Sequence, residues 1–142
     1  MMTNQQRIEY DFKQLLKAGA PCDTGWDDIP VIPNIHQAVY NWVSSNTDNF
    51  NMNFWREEAE CGTTYCRAGI VVMLAGDPFP EAWGNGPTDS GGIPNLARLI
   101  YLKSDPALDW DQWGINFFGS EEDELENMAE LAYHEASLAQ GK

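Results

Sequence analysis

The stretch Cys61-Gly62-Thr63-Thr64-Tyr65-Cys66-Arg67 gathers most of the residue types in this chain that carry chemistry. In the first turn of a helix, Cys66 would meet unpaired N–H groups and the positive end of the dipole, with Arg67 adjacent, and its thiol pKa would fall toward a nucleophilic thiolate. A cysteine-dependent enzyme also needs a base, and no motif ties His36 or His134 to Cys66. The plainer reading makes Cys61 and Cys66 small packing residues against Trp55, with Gly62 and Gly69 allowing close helix approach. Gly62, Thr63 and Thr64 at a helix start, with Arg67 and Trp55 near, would also suit a small anion or nucleotide, although no G-x-x-x-x-G-K-S/T or G-x-G-x-x-G fingerprint is present. Zinc prefers paired ligands such as C-x-x-C, which Cys61 and Cys66 do not form. Asp105, Asp109 and Asp111 offer oxygen to a hard cation but lack the glycine and terminal glutamate of a calcium loop. The expectation is therefore no metal and no cofactor.

The elements that must position these residues are helical by their periodicity. Ile8, Phe12, Leu15 and Leu16 share one face over residues 4–18, and Gly19 with Pro21 ends that helix. Residues 20–33 are a proline- and aspartate-rich connection around Trp26, and Ile35, Ala38, Val39, Trp42 and Val43 then mark a second helix. Phe50, Met52 and Phe54 alternate with asparagines over residues 48–55, the period of an extended segment. A third helix over residues 64–75, capped by a threonine and ended by Gly76, is apolar on all sides and should lie at the centre. Residues 77–92 read as a long irregular loop around Trp83, and Pro94 opens a fourth helix carrying Leu96, Leu99, Ile100 and Lys103. A short fifth helix is expected from Asp105-Pro106, with Leu108 and Trp113 on it. Ser120 caps the last, whose inner face holds Leu125, Met128, Ala129, Ala132 and Ala136. The predicted fold is all-α, a single domain of five to six helices around a central buried one, with one short extended segment.

Composition narrows the function. The 142 residues are 43% hydrophobic with a net charge of −14, a composition that folds and whose field repels nucleic acid and anionic membranes. Residues 77–142 hold thirteen carboxylates against three Lys or Arg, whereas residues 1–76 hold nine against five. Glu121, Glu122, Asp123, Glu124, Glu126, Glu130 and Glu135 are assigned to the outer side of the last helix, with Asp105, Asp109 and Asp111 before it. Three cysteines, an odd number, and an N-terminal stretch without the apolar core of an export signal point to a reducing cytoplasm. The longest apolar run, residues 70–75, is far short of the ~20 residues of a membrane span.

Trp55, then Cys61-Gly62-Thr63-Thr64-Tyr65-Cys66-Arg67-Ala68-Gly69, then Leu74-Ala75-Gly76 resembles a pattern of small bacterial and bacteriophage proteins of uncharacterised function. There a tryptophan precedes Cys-Gly-Thr-x-x-Cys-x-Ala-Gly, a helix ends in Leu-Ala-Gly, and a later helix leads through a Leu-x-Trp or Leu-Phe element to a terminal helix. The matching parts here are Leu96 to Leu102, Leu108 to Phe118 and the helix from Ser120, although Ile70 replaces the usual aromatic or histidine after Ala-Gly. The resemblance implies a setting and no reaction.

The leading expectation is thus a non-enzymatic, phage-type accessory or anti-defence protein. Its acidic residues Asp105, Asp109, Asp111, Glu121, Glu122, Asp123, Glu124, Glu126 and Glu130 would copy nucleic-acid charge and block a basic, nucleic-acid-binding host protein. The bland counterpart is a solvated helix face that keeps the chain soluble. No direct nucleic-acid or membrane contact is expected, and nothing in the residues sets an oligomeric state. The alternatives are a small-molecule pocket at Gly62, Thr63, Thr64, Arg67 and Trp55, and an enzyme using Cys66.

Overall fold

The computed structural model describes residues 3–52, 56–59, 62–83, 92–115, 117 and 119–140. Thr3 starts the first helix, α1 (Asn4–Lys17), through a reciprocal cap in which its hydroxyl accepts from the Gln6 N–H while the Gln6 side chain accepts from the Thr3 N–H. There follow α2 (Ile35–Ser45), α3 (Arg67–Leu74), α4 (Ile93–Ser104), α5 (Trp110–Trp113) and α6 (Glu121–Gln140), with 3₁₀ turns at Trp26–Asp28, Thr47–Asn49 and Pro80–Trp83. Pro94 sits in the first turn of α4, where its missing N–H breaks no helical bond. The architecture is all-α, as the periodicity predicts, with one antiparallel hairpin added.

That hairpin pairs β1 (Arg56–Ala59) with β2 (Gly62–Tyr65), Arg56 opposite Tyr65 and Ala59 opposite Gly62. Phe50 makes a parallel bridge to Tyr65, and the Asn51 N–H donates to the Tyr65 carbonyl at 2.9 Å. The extended segment expected over residues 48–55 is therefore present at Phe50 and Asn51, but Asp48 and Asn49 belong to a 3₁₀ turn. Residues 53–55, Cys61 and the loop at 84–91 lie outside the described residues.

Several boundaries differ from expectation for identifiable reasons. The third helix begins at Arg67, not Thr64, because Thr63 and Thr64 take the pleated backbone that β-branched residues favour. Cys66 is its cap, with extended backbone and a sulfur that accepts from the Gly69 N–H at 3.4 Å. The fifth helix begins at Trp110, because the Asp109 carboxylate accepts from the Gln112 N–H at 3.0 Å and caps it there. Asp105 to Leu108 instead close a turn, the Leu108 N–H donating to the Asp105 carbonyl at 3.0 Å.

The core lies between α3 and α4. Ala68, Ile70, Val71 and Val72 from one, and Leu96, Ala97, Leu99, Ile100 and Tyr101 from the other, are fully buried. Each large aliphatic among them stabilises the fold by about 1.5–3 kcal/mol relative to exposure. Leu15 of α1, Ile35, Val39 and Val43 of α2, and Met128 and Leu131 of α6 close around this pair. Leu16, expected on the inner face of α1, is 38% exposed. The buried stripe of α1 is Arg7, Asp11 and Leu15, and apolar periodicity does not register a stripe with two charges in it.

Candidate functional site

Arg67 is among the largest fully buried side chains of the described residues. Its Nη1 donates to Glu124 Oε1 at 2.9 Å and to Asn127 Oδ1 at 2.7 Å, its Nε donates to the Tyr101 hydroxyl at 3.1 Å, and its Nη2 has no partner. The guanidinium therefore joins α3, α4 and α6 inside the core. Gly62, Thr63 and Thr64 have their backbones in the hairpin and not at a helix start. The small-anion site proposed from those residues and Arg67 thus lacks its geometric basis, and Trp55 lies outside the described residues.

Cys66 is buried, as the packing reading has it, and departs from the thiolate alternative. Burial pushes its thiol up from 9.0 to about 11, and the backbone hydrogen bonds around it, Gly69 first, offset that only in part. The helix start does not produce a thiolate, because removing a small anion from water outweighs the help of nearby N–H dipoles.

The acidic residues divide into two groups. Glu124, expected on the outer face, is buried against Arg67. Asp111 accepts two bonds from Arg7 Nη2, at 2.7 and 2.6 Å, and Asp109 caps α5. Asp105 Oδ2 accepts from His36 Nε2 at 2.9 Å. Glu135, also placed outside by the periodicity, turns to the start of α2. Its Oε1 accepts from the Gln37 N–H at 2.9 Å and the Gln37 amide at 3.1 Å, and its Oε2 from the His36 N–H at 3.4 Å. It takes the place of a local cap, since Asn34 makes none. Glu121, Glu122, Asp123, Glu126 and Glu130 remain exposed on α6.

Three arginines are drawn into ion pairs while Lys13 and Lys17 stay exposed. Arg7 meets the part-exposed Asp111, Arg67 the buried Glu124, and Arg98 binds the buried Asp11 through two nitrogens at 2.8 and 2.6 Å. Hydrogen bonding by Asp11 holds Arg98 above its ordinary pKa against the opposing effect of burial. Lys103 donates to the Trp26 carbonyl and lies 5.6 Å from its ring centroid. No Lys or Arg occurs on α6. Glu122, Glu126 and Glu130 stand at i, i+4 and i+8, so the exposed face carries a row of like charges that disfavours the helix by about 0.2–0.5 kcal/mol per pair.

Beside that row lies a concavity that the sequence did not announce. A polar pocket of about 280 Å³ is bounded by Asn34 just before α2 and His36 within it, Ser104 at the end of α4 and Asp105 just after it, and His134 and Glu135 from α6. An apolar groove of about 500 Å³ adjoins it, lined by Trp113, Ala129, Tyr133 and Ser137 and edged by Glu130. Trp113 and His134, whose rings are 5.1 Å apart, line both. The only advance signal was the presence of two histidines, and what brings them together is the packing of α2 on α6.

His36 Nδ1 is buried without a partner, its ring stacks on Tyr101 at 5.6 Å, and the Ser104 hydroxyl already accepts from the Ile32 N–H at 2.9 Å. Among the described residues no cluster of three metal-ligating side chains forms, and no helix is long and apolar enough to cross a membrane. Comparison with family models, curated proteins and solved structures finds no match for the chain.

Proposed function

We propose that the protein is a non-enzymatic cytosolic interaction protein that occupies the basic surface of a nucleic-acid-binding protein through the exposed carboxylates of α6. The observation that supports this is the uncompensated row Glu122, Glu126 and Glu130, preceded by Glu121 and Asp123, on a helix without a single Lys or Arg. Arg7, Arg67 and Arg98 are held by Asp111, Glu124 and Asp11. Carboxylates four residues apart are about 6 Å apart along the helix axis. One DNA strand carries a charge about every 3.4 Å, so the row has roughly half that density, raised at its start by the first-turn cluster. The resemblance to small bacterial and bacteriophage proteins fits an accessory or anti-defence role that works by occupancy. The raised Cys66 pKa opposes the enzymatic alternative.

The test is affinity capture from a bacterial lysate with wild type and with the Glu122→Lys/Glu126→Lys/Glu130→Lys variant. A nucleic-acid-binding protein retained by wild type, released by duplex DNA and by raising salt from 50 to 200 mM, and lost from the variant is the expected result. Equal capture by both proteins, or capture indifferent to DNA, would refute the proposal.

A further inference from the structure

We infer that the groove between α5 and α6 is a two-compartment docking site for a basic segment of the partner, one that also bears an aliphatic or aromatic side chain. A Lys or Arg enters the polar pocket at Asp105 and Glu135, and the apolar side chain lies on Trp113 and Tyr133. The inference rests on the proposed reading of α6 and gives it a specificity that charge alone lacks.

The lining of the two compartments carries it. The polar compartment holds two carboxylates, Asp105 bonded to His36 through Oδ2 and Glu135 capping α2, and no Lys or Arg lines it, so an entering cation is met chiefly by Asp105. At about 280 Å³ it lies just below the ~300–1,000 Å³ usual for small-molecule pockets, a size suited to one side chain. Its shared wall is Trp113, whose indole face is the best of the aromatic partners for a cation. The neighbouring compartment displays Tyr133, 77% exposed, and Leu138, 58% exposed, is among the residues that line the polar pocket. Tyrosine and tryptophan in such a position are the residues from which interface hot spots are built. Glu130 on the edge joins this groove to the charged row. A second copy of the chain is disfavoured as occupant, since both copies would bring a net charge of −14.

Fluorescence anisotropy with two labelled octapeptides of equal charge tests the inference, one alternating arginine with leucine and the other arginine with serine. Wild type is expected to bind the arginine–leucine peptide at least tenfold more tightly. Tyr133→Ala, at an exposed position that does not endanger folding, should lower the arginine–leucine affinity and so remove that preference. Asp105→Asn should weaken both peptides, with a thermal melt to show that the variant folds. If both peptides bind equally and Glu122→Lys/Glu126→Lys abolishes both, the groove is refuted while the charged row stands. If the tenfold preference persists and the charge-reversed variant still binds normally, the groove stands and the row is refuted. Absence of binding to either peptide overturns the inference. So does a dimer in sedimentation that Tyr133→Ala converts to monomer, because the groove would then belong to a second copy.

Discussion

Arg67 and Glu124 meet at 2.9 Å inside the protein, with the arginine side chain wholly buried and the glutamate nearly so. Tyr101 and Asn127 satisfy more of the guanidinium, so the pair links three helices through one charged network. Removing one partner from such a pair leaves a buried charge without compensation, which costs about 3–5 kcal/mol. Glu124→Ala should therefore lower the urea midpoint severely, whereas Glu122→Ala, two residues away and exposed, should change stability by no more than about 0.5 kcal/mol. Similar midpoints for the two variants would show that Glu124 lies on the outer face after all.

Gly119 guards the same pair. A Cβ built there would lie 2.6 Å from Glu124 Oε2, an atom that cannot move freely because its carboxylate is held by Arg67. Gly119→Ala should destabilise by about 1–3 kcal/mol. In a double-mutant cycle its effect should shrink on a Glu124→Ala background, where the clash is gone. Simple additivity would dissociate the glycine from the network.

Cys66 makes alkaline stability measurable residue by residue. Its folded pKa is raised, so the folded state holds the proton more tightly than the unfolded state does. Its contribution is fully present below about 9 and is lost as pH climbs to about 11, a change of about 2–3 kcal/mol. Cys66→Ala should be less stable than wild type at pH 7 yet lose less stability across that window. At pH 8, iodoacetamide should label exposed Cys22 in the native protein and reach Cys66 only on unfolding, as read by peptide mass spectrometry.

Asp11 is fully buried between two donors, Arg98 and Asn95, and fastens α1 to α4. Asp11→Ala should cost toward the lower end of 3–5 kcal/mol, because Arg98 keeps some access to water. A loss below about 1 kcal/mol in chemical denaturation would mean that apolar contacts alone hold α1.

The charged row predicts a trade between stability and binding. Glu126→Lys converts two repulsive i, i+4 relations, with Glu122 and Glu130, into attractive ones and should stabilise the protein by about 0.5–1 kcal/mol. The same change should weaken capture of the basic partner. A gain in stability with unchanged capture would leave the row with a solubilising role only.

What could be read in the chain was the helices themselves. Apolar spacing at Ile35, Val39 and Val43, the proline opening α4 and the Ser120 cap are local signals, and the backbone obeys them because each acts within one turn. The start of α3 was misplaced because a cysteine cap has no strong sequence signature and the threonines before it suit either a cap or a strand. The inner face of α6 was partly visible, for Glu124, Met128, Leu131 and Glu135 stand at i, i+4, i+7 and i+11. A hydrophobicity count treats its two carboxylates as outward facing, since a glutamate stays out of water's reach only when a distant partner exists for it. Those partners, Arg67 from α3 and the N-terminus of α2, are supplied by helix packing across about half the chain's length or more. Local chemistry thus determined which segments coil and that the surface is acidic. Tertiary packing decided which charges remain on that surface, because only the assembled fold can offer a buried carboxylate its counterpart.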